Sequence, residues 1–152
     1  MSRIEHAGIS VDVPLGWEAA SSGGGFRQLS DGAREPTVIH LGTFPLPGTR
    51  GSFGTGAVEL MSTDDVLIVL FEYGSQSANT PLFAAQGIPR PLNPQLFDRD
   101  ALQHGIAGQS GLQQFFTHRG RAFCLYVVLG SHIDRAELVE RVNLVLETLE
   151  IE

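Results

Sequence analysis

The five histidines are the side chains of this sequence best suited to acid–base or metal chemistry near neutral pH. They are His6, His40, His104, His118 and His132, and each stands apart from the others along the chain. Metal sites gather His, Cys or carboxylate ligands at recognisable spacings, which these five positions do not show. We therefore predict no metal site, and we interpret His40 as a hydrogen-bonded residue within a strand.

A catalytic serine is best sought at Ser110, in the segment Gly108-Gln-Ser-Gly111. This segment approaches the nucleophile-elbow pattern G-x-S-x-G, but its last glycine comes one position early, so the pattern fails. Ser110 could still meet His104 or His118 and a distant aspartate in the folded chain, as in a hydrolase triad. The spacing by itself does not support that assembly, and we predict no catalytic residue.

Carboxylates occur in two close pairs, Asp64 with Asp65 and Asp98 with Asp100. Oxygen ligands of this kind bind hard cations such as Ca²⁺ and Mg²⁺. The first pair lies in a segment typical of a turn, and the second lies where a short helical turn could begin. We interpret the four acids as turn and capping residues rather than as cation ligands.

The glycine-rich segment 48–56 raises the question of phosphate binding, because glycines let backbone N–H groups approach an anion. The segment contains neither of the common phosphate-loop patterns, and the whole chain lacks lysine. We predict a mobile loop here and no cofactor site.

Two arginines, Arg119 and Arg121, flank Gly120 at the tip of a predicted hairpin. The pair could hold an anionic ligand or an acidic partner, although arginines on an exposed turn are more commonly solvated.

Cys124 lies inside the apolar run 122–129, which predicts a buried thiol that behaves as a small hydrophobic side chain.

Length and charge narrow the classes of protein. A chain of 152 residues, of which 42% are hydrophobic, has the usual size of a single domain. It contains no apolar run near the roughly 18 residues that a membrane span needs. The net charge is −7, and residues 134–152 hold six acids against two arginines, a net charge of −4. Nucleic acid and anionic membranes are therefore poor candidate partners.

The N-terminal segment 1–6 carries one arginine and is followed by alternating apolar and polar residues. It lacks the apolar stretch of a secretory signal. We expect a cytoplasmic protein that forms one domain over residues 1–152.

Several segments have the pattern of β-strands. Residues 9–13 alternate apolar and polar side chains after an opening segment 4–6, and residues 66–71 are apolar throughout, as in a strand buried on both faces. Residues 57–61 and 66–73 flank a turn at 62–65 and predict a hairpin. Further strands are predicted at 26–29, 37–44, 112–118 and 122–129.

A C-terminal amphipathic helix is predicted from Asp134 to Leu149. Its N-cap is predicted at Ser131 or Asp134, and Glu137 follows Asp134 by three residues, as in a capping box. The apolar side chains form one stripe at helical period and should pack on the sheet. The predicted fold class is α+β, with an antiparallel sheet packed against this helix. The stripe consists of Leu138, Val139, Val142, Val145, Leu146 and Leu149.

The proline-rich segment 74–111 is unusually long for a connection inside a compact domain, and between residues 82 and 97 it carries six large apolar side chains. These side chains either cover the domain's own sheet or form a docking surface for another chain. The candidate partner surface combines four of them with the two hairpin arginines: Phe83, Leu92, Leu96, Phe97, Arg119 and Arg121.

Two parts of the chain are similar to the PsbP-like family. The segment Ile9-Ser-Val-Asp-Val-Pro-Leu-Gly-Trp17 resembles the family's first strand with its proline and tryptophan. Residues 123–129 leading into 138–151 resemble its last strand and terminal helix. The resemblance implies an α-β-α sandwich around an antiparallel sheet and a mostly non-enzymatic role in binding or assembly. The chain departs from the family in its long proline-rich segment.

The sequence therefore favours a non-enzymatic binding or assembly module of the bacterial cytoplasm, with a protein partner or self-association. The alternative is a small-molecule-binding protein or a hydrolase-type enzyme. Its pocket would lie between the sheet and segment 74–111, with Arg99, His104 or Ser110 supplying polar groups.

Overall fold

A computed structural model describes residues 2–23, 36–48, 50–103 and 105–152. The strand predicted at 26–29 lies outside these ranges. The described chain forms eight β-strands, one α-helix and four single turns of 3₁₀ helix, at 58–60, 75–77, 81–83 and 94–96. The strands and the α-helix are β1 (Ser2–His6), β2 (Ile9–Val13), β3 (Glu18–Ser22), β4 (Val38–Gly42), β5 (Val66–Glu72), β6 (Ser110–His118), β7 (Arg121–Leu129), α1 (Arg135–Leu146) and β8 (Glu150–Ile151).

The strands form two sheets in which all neighbouring strands run antiparallel. The larger sheet has the order β3-β4-β5-β7-β6, and the smaller has the order β1-β2-β8. In the larger sheet, β4 pairs with β5 so that His40 lies opposite Val69. The α+β class and the antiparallel pairing that the sequence predicts are confirmed.

The larger sheet is covered on both faces. Along β5, Ile68 and Leu70 face a core formed with α1 and the smaller sheet, whereas Leu67 and Val69 face a second apolar cluster. The second cluster is covered by side chains from residues 44–61 and 102–106. Burial on both faces explains why β5 is apolar at every position from 66 to 71 instead of alternating.

The C-terminal helix is confirmed, although it begins at Arg135 and ends at Leu146. Its predicted apolar stripe is buried. The predicted capping box is wrong, because the Asp134 side chain makes no capping hydrogen bond. The hydroxyl of Ser131 instead accepts a hydrogen bond from the Asp134 N–H at 3.3 Å. Within the described ranges, no helix is long and apolar enough to span a membrane.

The hairpin between β6 and β7 forms where it is predicted, with His118 opposite Arg121. Arg119 and Gly120 have φ angles of 53° and 79°. Positive φ at both central residues is the geometry of the two-residue turns whose twist matches antiparallel strands.

The hairpin predicted around residues 62–65 is wrong. Val58–Leu60 forms a 3₁₀ turn rather than a strand, and β5 has β4 and β7 as its neighbours. Local bonds satisfy the backbone, since the N–H groups of Ala57 and Val58 both donate to the Gly54 carbonyl. The side chains of Ala57 and Val58 are buried in the second apolar cluster. Packing against the sheet therefore holds this segment without strand pairing.

Segment 74–111 lies along the open edge of β6. The Gly87 N–H donates to the Thr117 carbonyl and the Thr117 N–H donates to Ala85, both at 2.8 Å. Near the other end of the strand, Asp98 and Gly111 exchange two backbone hydrogen bonds of 2.9 and 3.0 Å. These contacts occupy backbone groups that an edge strand would otherwise offer to another chain.

Candidate functional site

A polar pocket of about 200 Å³ lies between the larger sheet and the start of the glycine-rich segment. Strands β3 and β4 form its floor, and Gly48 with residues 50–52 forms its other side. Its described lining consists of Ser22, Val38, His40, Gly48, Arg50, Gly51 and Ser52.

His40 is the buried polar side chain of this pocket. It lies in β4 between Ala20 of β3 and Val69 of β5. Its neighbours Ile39 and Leu41 face the core beneath α1, so strand alternation directs His40 to the opposite face. The residue is 3% exposed, and neither Nδ1 nor Nε2 has a hydrogen-bond partner. The prediction of a strand residue is confirmed, whereas no hydrogen bond that meets the distance and angle limits reaches either ring nitrogen from the described residues.

The surroundings of His40 keep its imidazole neutral. Burial, with a further contribution from the positive charge of Arg50, lowers the pKa of His40 from 6.5 to about 4. The nearby backbone of Gly51 acts in the opposite direction, but it makes no hydrogen bond of acceptable geometry with either ring nitrogen. A neutral imidazole presents one N–H donor and one lone pair. Both ring nitrogens are buried and have no partner among the described residues, and the His40 side chain lines the pocket.

Arg50 brings a positive charge to the same pocket. Its Nη1 donates to the Pro47 carbonyl at 2.8 Å, which fixes the guanidinium near the loop backbone. Its Nε is buried and has no hydrogen-bond partner. The described lining contains no Asp or Glu that could neutralise this charge. The site thus combines an uncompensated guanidinium with a neutral imidazole.

The glycine-rich segment holds Arg50 over the sheet through local turns. The Gly51 N–H donates to the Thr55 carbonyl at 2.8 Å, and the Gly54 N–H donates to the Gly51 carbonyl at 3.1 Å. Gly54 has a φ of +84°, and a Cβ there would lie 2.5 Å from the Leu67 Cδ2 atom. Glycine is therefore needed at position 54 because the loop packs directly on β5. The mobility of this loop stays a prediction.

The apolar residues of the candidate partner surface have different environments. Phe83, Leu92 and Phe97 are buried against their own domain, whereas Leu96 is 55% exposed. The Phe83 ring packs edge-on against Phe115 of β6 at 5.6 Å between centroids. Three of these four side chains thus cover the sheet, which is the first of the two roles considered for segment 74–111. A partner surface stays a prediction, and in this structure Leu96 is the apolar side chain that is accessible for it.

The two hairpin arginines also differ in their exposure and their contacts. Arg119 is exposed at the turn. Arg121 forms a bidentate ion pair with Glu72, with N–O distances of 2.7 and 2.8 Å. It also donates to the backbone carbonyls of Ala7 and Glu152 at 2.8 and 3.1 Å. Arg121 therefore joins the two sheets, and its donors are engaged within the chain.

A wider, open cleft of about 510 Å³ lies between segment 74–111 and the start of α1, and not between that segment and the sheet as the alternative hypothesis expects. It brings Arg99 close to His132, whose Nδ1 lies 2.8 Å from the Ser110 hydroxyl. Burial and the charges of Arg135 and Arg99 lower the pKa of His132. Its lining consists of Gln95, Phe97, Asp98, Arg99, Asp100, His132 and Arg135.

This cleft does not assemble a catalytic serine. Ser110 is fully buried, so its hydroxyl serves to orient the His132 ring and is not accessible to a substrate. His118 lies at the opposite end of β6, eight residues and therefore roughly 27 Å along the strand from Ser110. His104 lies outside the described residues. Among the residues that the structure describes, no three His, Cys, Asp or Glu side chains come together as metal ligands.

Comparison with known proteins found no match among protein-family models, curated proteins or solved structures. The function is therefore inferred from the geometry of this chain.

Sequence reasoning identified His40 and the glycine-rich segment separately but did not bring them together. The relevant signal was a histidine within the apolar strand 37–44, followed ten residues later by Arg50 among glycines. Nothing in that spacing shows that the segment folds back over the same strand. Only the loop packing, which depends on Gly54 lying against Leu67, places the two side chains at one pocket.

Proposed function

We propose that this protein is a non-enzymatic binding module that takes a small polar ligand in the pocket lined by His40 and Arg50. The observation that carries the proposal is the imidazole of His40, which is buried with both nitrogens unpartnered.

Buried polar atoms without hydrogen bonds lower the stability of the fold. A buried donor or acceptor without a hydrogen bond costs roughly 1–3 kcal/mol, and most such groups in folded proteins have a partner. His40 contributes two unpartnered nitrogens, and Arg50 contributes a third at the same pocket. A ligand that satisfies these atoms on binding recovers that cost. Selection for a ligand explains a polar residue at a position where the neighbouring strand residues are apolar.

The same environment argues for binding rather than catalysis. A general base works best when its pKa lies near the pH of operation. With a pKa of about 4, His40 is a weak base at neutral pH. The neutral ring can hold a ligand by one hydrogen bond, donated or accepted by the nitrogen that faces the ligand.

The resemblance to PsbP-like proteins adds support of a different kind, since it implies binding or assembly roles. We propose membership of that sandwich family on the strand, proline and tryptophan of residues 9–17 and on the succession of β7 and α1. A protein partner or self-association belongs to the same proposal, with Leu96 and Arg119 as exposed contacts.

Binding can be tested by two-dimensional NMR with a panel of small probes: sulfate, acetate, acetamide and glycerol. We expect at least one probe to shift the ring signals of His40 and the backbone amides of Gly51 and Ser52. A ligand present at 100 times its Kd should also stabilise the protein by roughly 2.7 kcal/mol.

The matched variants are His40→Leu, which removes both nitrogens, and His118→Gln, which changes a histidine outside the pocket. We expect the first to abolish the shifts and the second to retain them. Shifts that survive in His40→Leu, or the absence of any shift at these three residues, would contradict the proposed function.

A further inference from the structure

Resting on the proposed function, we infer that the ligand of this pocket is a small oxyanion that pairs with Arg50 and whose binding adds a proton to His40. Carboxylates and tetrahedral anions such as sulfate or phosphate share the required chemistry.

The charge of the pocket selects an anion. Arg50 is the one charged residue of the described lining, whose other members are serines, glycines, a valine and a neutral histidine. The protein as a whole has a net charge of −7, so the charge of this pocket is opposite in sign to that of the whole chain. A guanidinium recognises carboxylate and phosphate oxygens through its planar set of N–H donors. An oxyanion would supply the missing counter-charge.

The geometry of Arg50 leaves part of that donor set available. The bond from Nη1 to the Pro47 carbonyl holds the side chain in place and uses one donor. The Nε–H is buried and unpartnered. A side chain held by the loop in this way loses little further conformational freedom when a ligand binds, which favours affinity.

The pocket has room for a small anion. A short carboxylate or a single tetrahedral oxyanion fits within its volume of about 200 Å³.

The position of His40 couples anion binding to a proton. Among the described residues, Arg50 is the charged group near the ring: Ala20 and Val69 are its strand neighbours, and Gly51 and Ser52 belong to the loop. An anion beside the ring opposes the effect of Arg50 and favours the charged imidazolium. The charged ring then donates to the anion from the nitrogen that faces it, which gives a partner to a buried atom that has none among the described residues.

Isothermal titration calorimetry tests both parts of the inference. Sulfate and acetate serve as probes because neither titrates appreciably between pH 5.5 and 8, and acetamide is the neutral analogue of acetate. Each titration is carried out at pH 6 in two buffers of different ionisation enthalpy, so that the difference in heat measures proton uptake.

We expect one or both anions to bind and acetamide not to bind. Binding should take up a substantial fraction of one proton per anion, and affinity should rise as the pH falls, by at most tenfold per pH unit. Sulfate binding without acetate binding would assign the site to tetrahedral oxyanions, and the reverse would assign it to carboxylates.

The matched variants are Arg50→Gln, Arg50→Lys and the control Arg99→Gln, which removes an arginine from the wider cleft. We expect Arg50→Gln to weaken anion binding at least tenfold, Arg50→Lys to weaken it less, and Arg99→Gln to leave it unchanged. Proton uptake is measured on the unaltered protein, so this part of the test does not depend on whether a variant folds.

The possible failures are distinct. Binding of acetamide or glycerol at His40, with no preference for anions, would overturn the oxyanion inference and leave the proposed function standing. Anion binding without proton uptake would overturn the coupling to His40. The absence of binding by every probe would count against the inference and the proposed function together.

Discussion

The side-chain amide of Asn143 in α1 makes two hydrogen bonds to the backbone of Leu92. Its oxygen accepts from the Leu92 N–H at 2.8 Å, and its nitrogen donates to the Leu92 carbonyl at 3.0 Å. One helical side chain thus replaces the backbone partners that a strand would have supplied. The proline-rich segment can therefore bury Leu92 without leaving its peptide groups unsatisfied.

We expect Asn143→Ala to destabilise the protein by roughly 1–3 kcal/mol, because two partly buried backbone groups lose their partner. The higher helix propensity of alanine offsets about 0.6 kcal/mol of this loss. Urea denaturation measures the change. Glu140→Ala, on the exposed side of the same helix, is the control and should change stability by about 0.5 kcal/mol or less. Equal effects of the two substitutions would contradict a role for the Asn143–Leu92 contact.

Leu92 and Leu96 allow a matched test of what segment 74–111 covers. Leu92 is 5% exposed and belongs to the core beneath α1, whereas Leu96 is 55% exposed. Leu92→Ala should cost roughly 2–5 kcal/mol, as for other buried leucines. Leu96→Ala should leave the free energy of unfolding nearly unchanged. If Leu96→Ala were as destabilising as Leu92→Ala, the packing of this segment would differ from the arrangement described above.

Arg121 and Arg3 contrast a partly buried ion pair with an exposed one. The side chains of Arg121 and Glu72 are 21% and 20% exposed, and Arg121 also bonds to two backbone carbonyls. Arg3 pairs with Asp12 at 2.8 Å with 38% of its side chain exposed. We expect Arg121→Ala to destabilise by about 2–4 kcal/mol, since it leaves Glu72 partly buried without its partner. Arg3→Ala should lower the free energy of unfolding far less in the same urea titration, because solvent screens an exposed ion pair.

The environment of His40 predicts how stability depends on pH. Its pKa is about 4 in the folded chain and 6.5 as an ordinary histidine, so the unfolded chain binds the proton first as the pH falls. This group therefore has no effect on stability well above pH 6.5 and destabilises progressively between pH 6.5 and 4. The full effect is about 3 kcal/mol, from about 1.4 kcal/mol per pKa unit.

His40→Leu isolates this contribution, because other titrating groups act equally on both proteins. Denaturation in buffers from pH 7 to pH 4 should show the variant gaining up to about 3 kcal/mol over the unaltered protein. A difference that stays constant over this range would mean that His40 keeps its ordinary pKa in the fold. Comparison with and without 100 mM sulfate then separates the cost of the unpartnered ring from the effect of an anion.

Elements formed by interactions between neighbouring residues were predictable from the sequence, whereas packing between distant residues was not. The helix and the hairpin at 118–121 were predictable because their signals lie within a few residues of each other in sequence. The segment around Val58 was mispredicted because its apolar residues pack on a distant face of the sheet while its backbone bonds stay within one turn. A strand and a packed turn of this length have similar apolar content, so the sequence pattern does not distinguish them.

The sequence by itself determined the α+β class, the C-terminal helix with its apolar stripe and the strands at 66–71 and 122–129, because apolar periodicity and turn residues act locally. Only the tertiary structure decided that segment 74–111 lies on the edge of β6, that Ser110 is buried against His132, and that Arg50 shares a pocket with His40. These relationships join residues 10 to 38 positions apart. They depend on which surfaces pack together, and the spacing of residues along the chain carries no record of that choice.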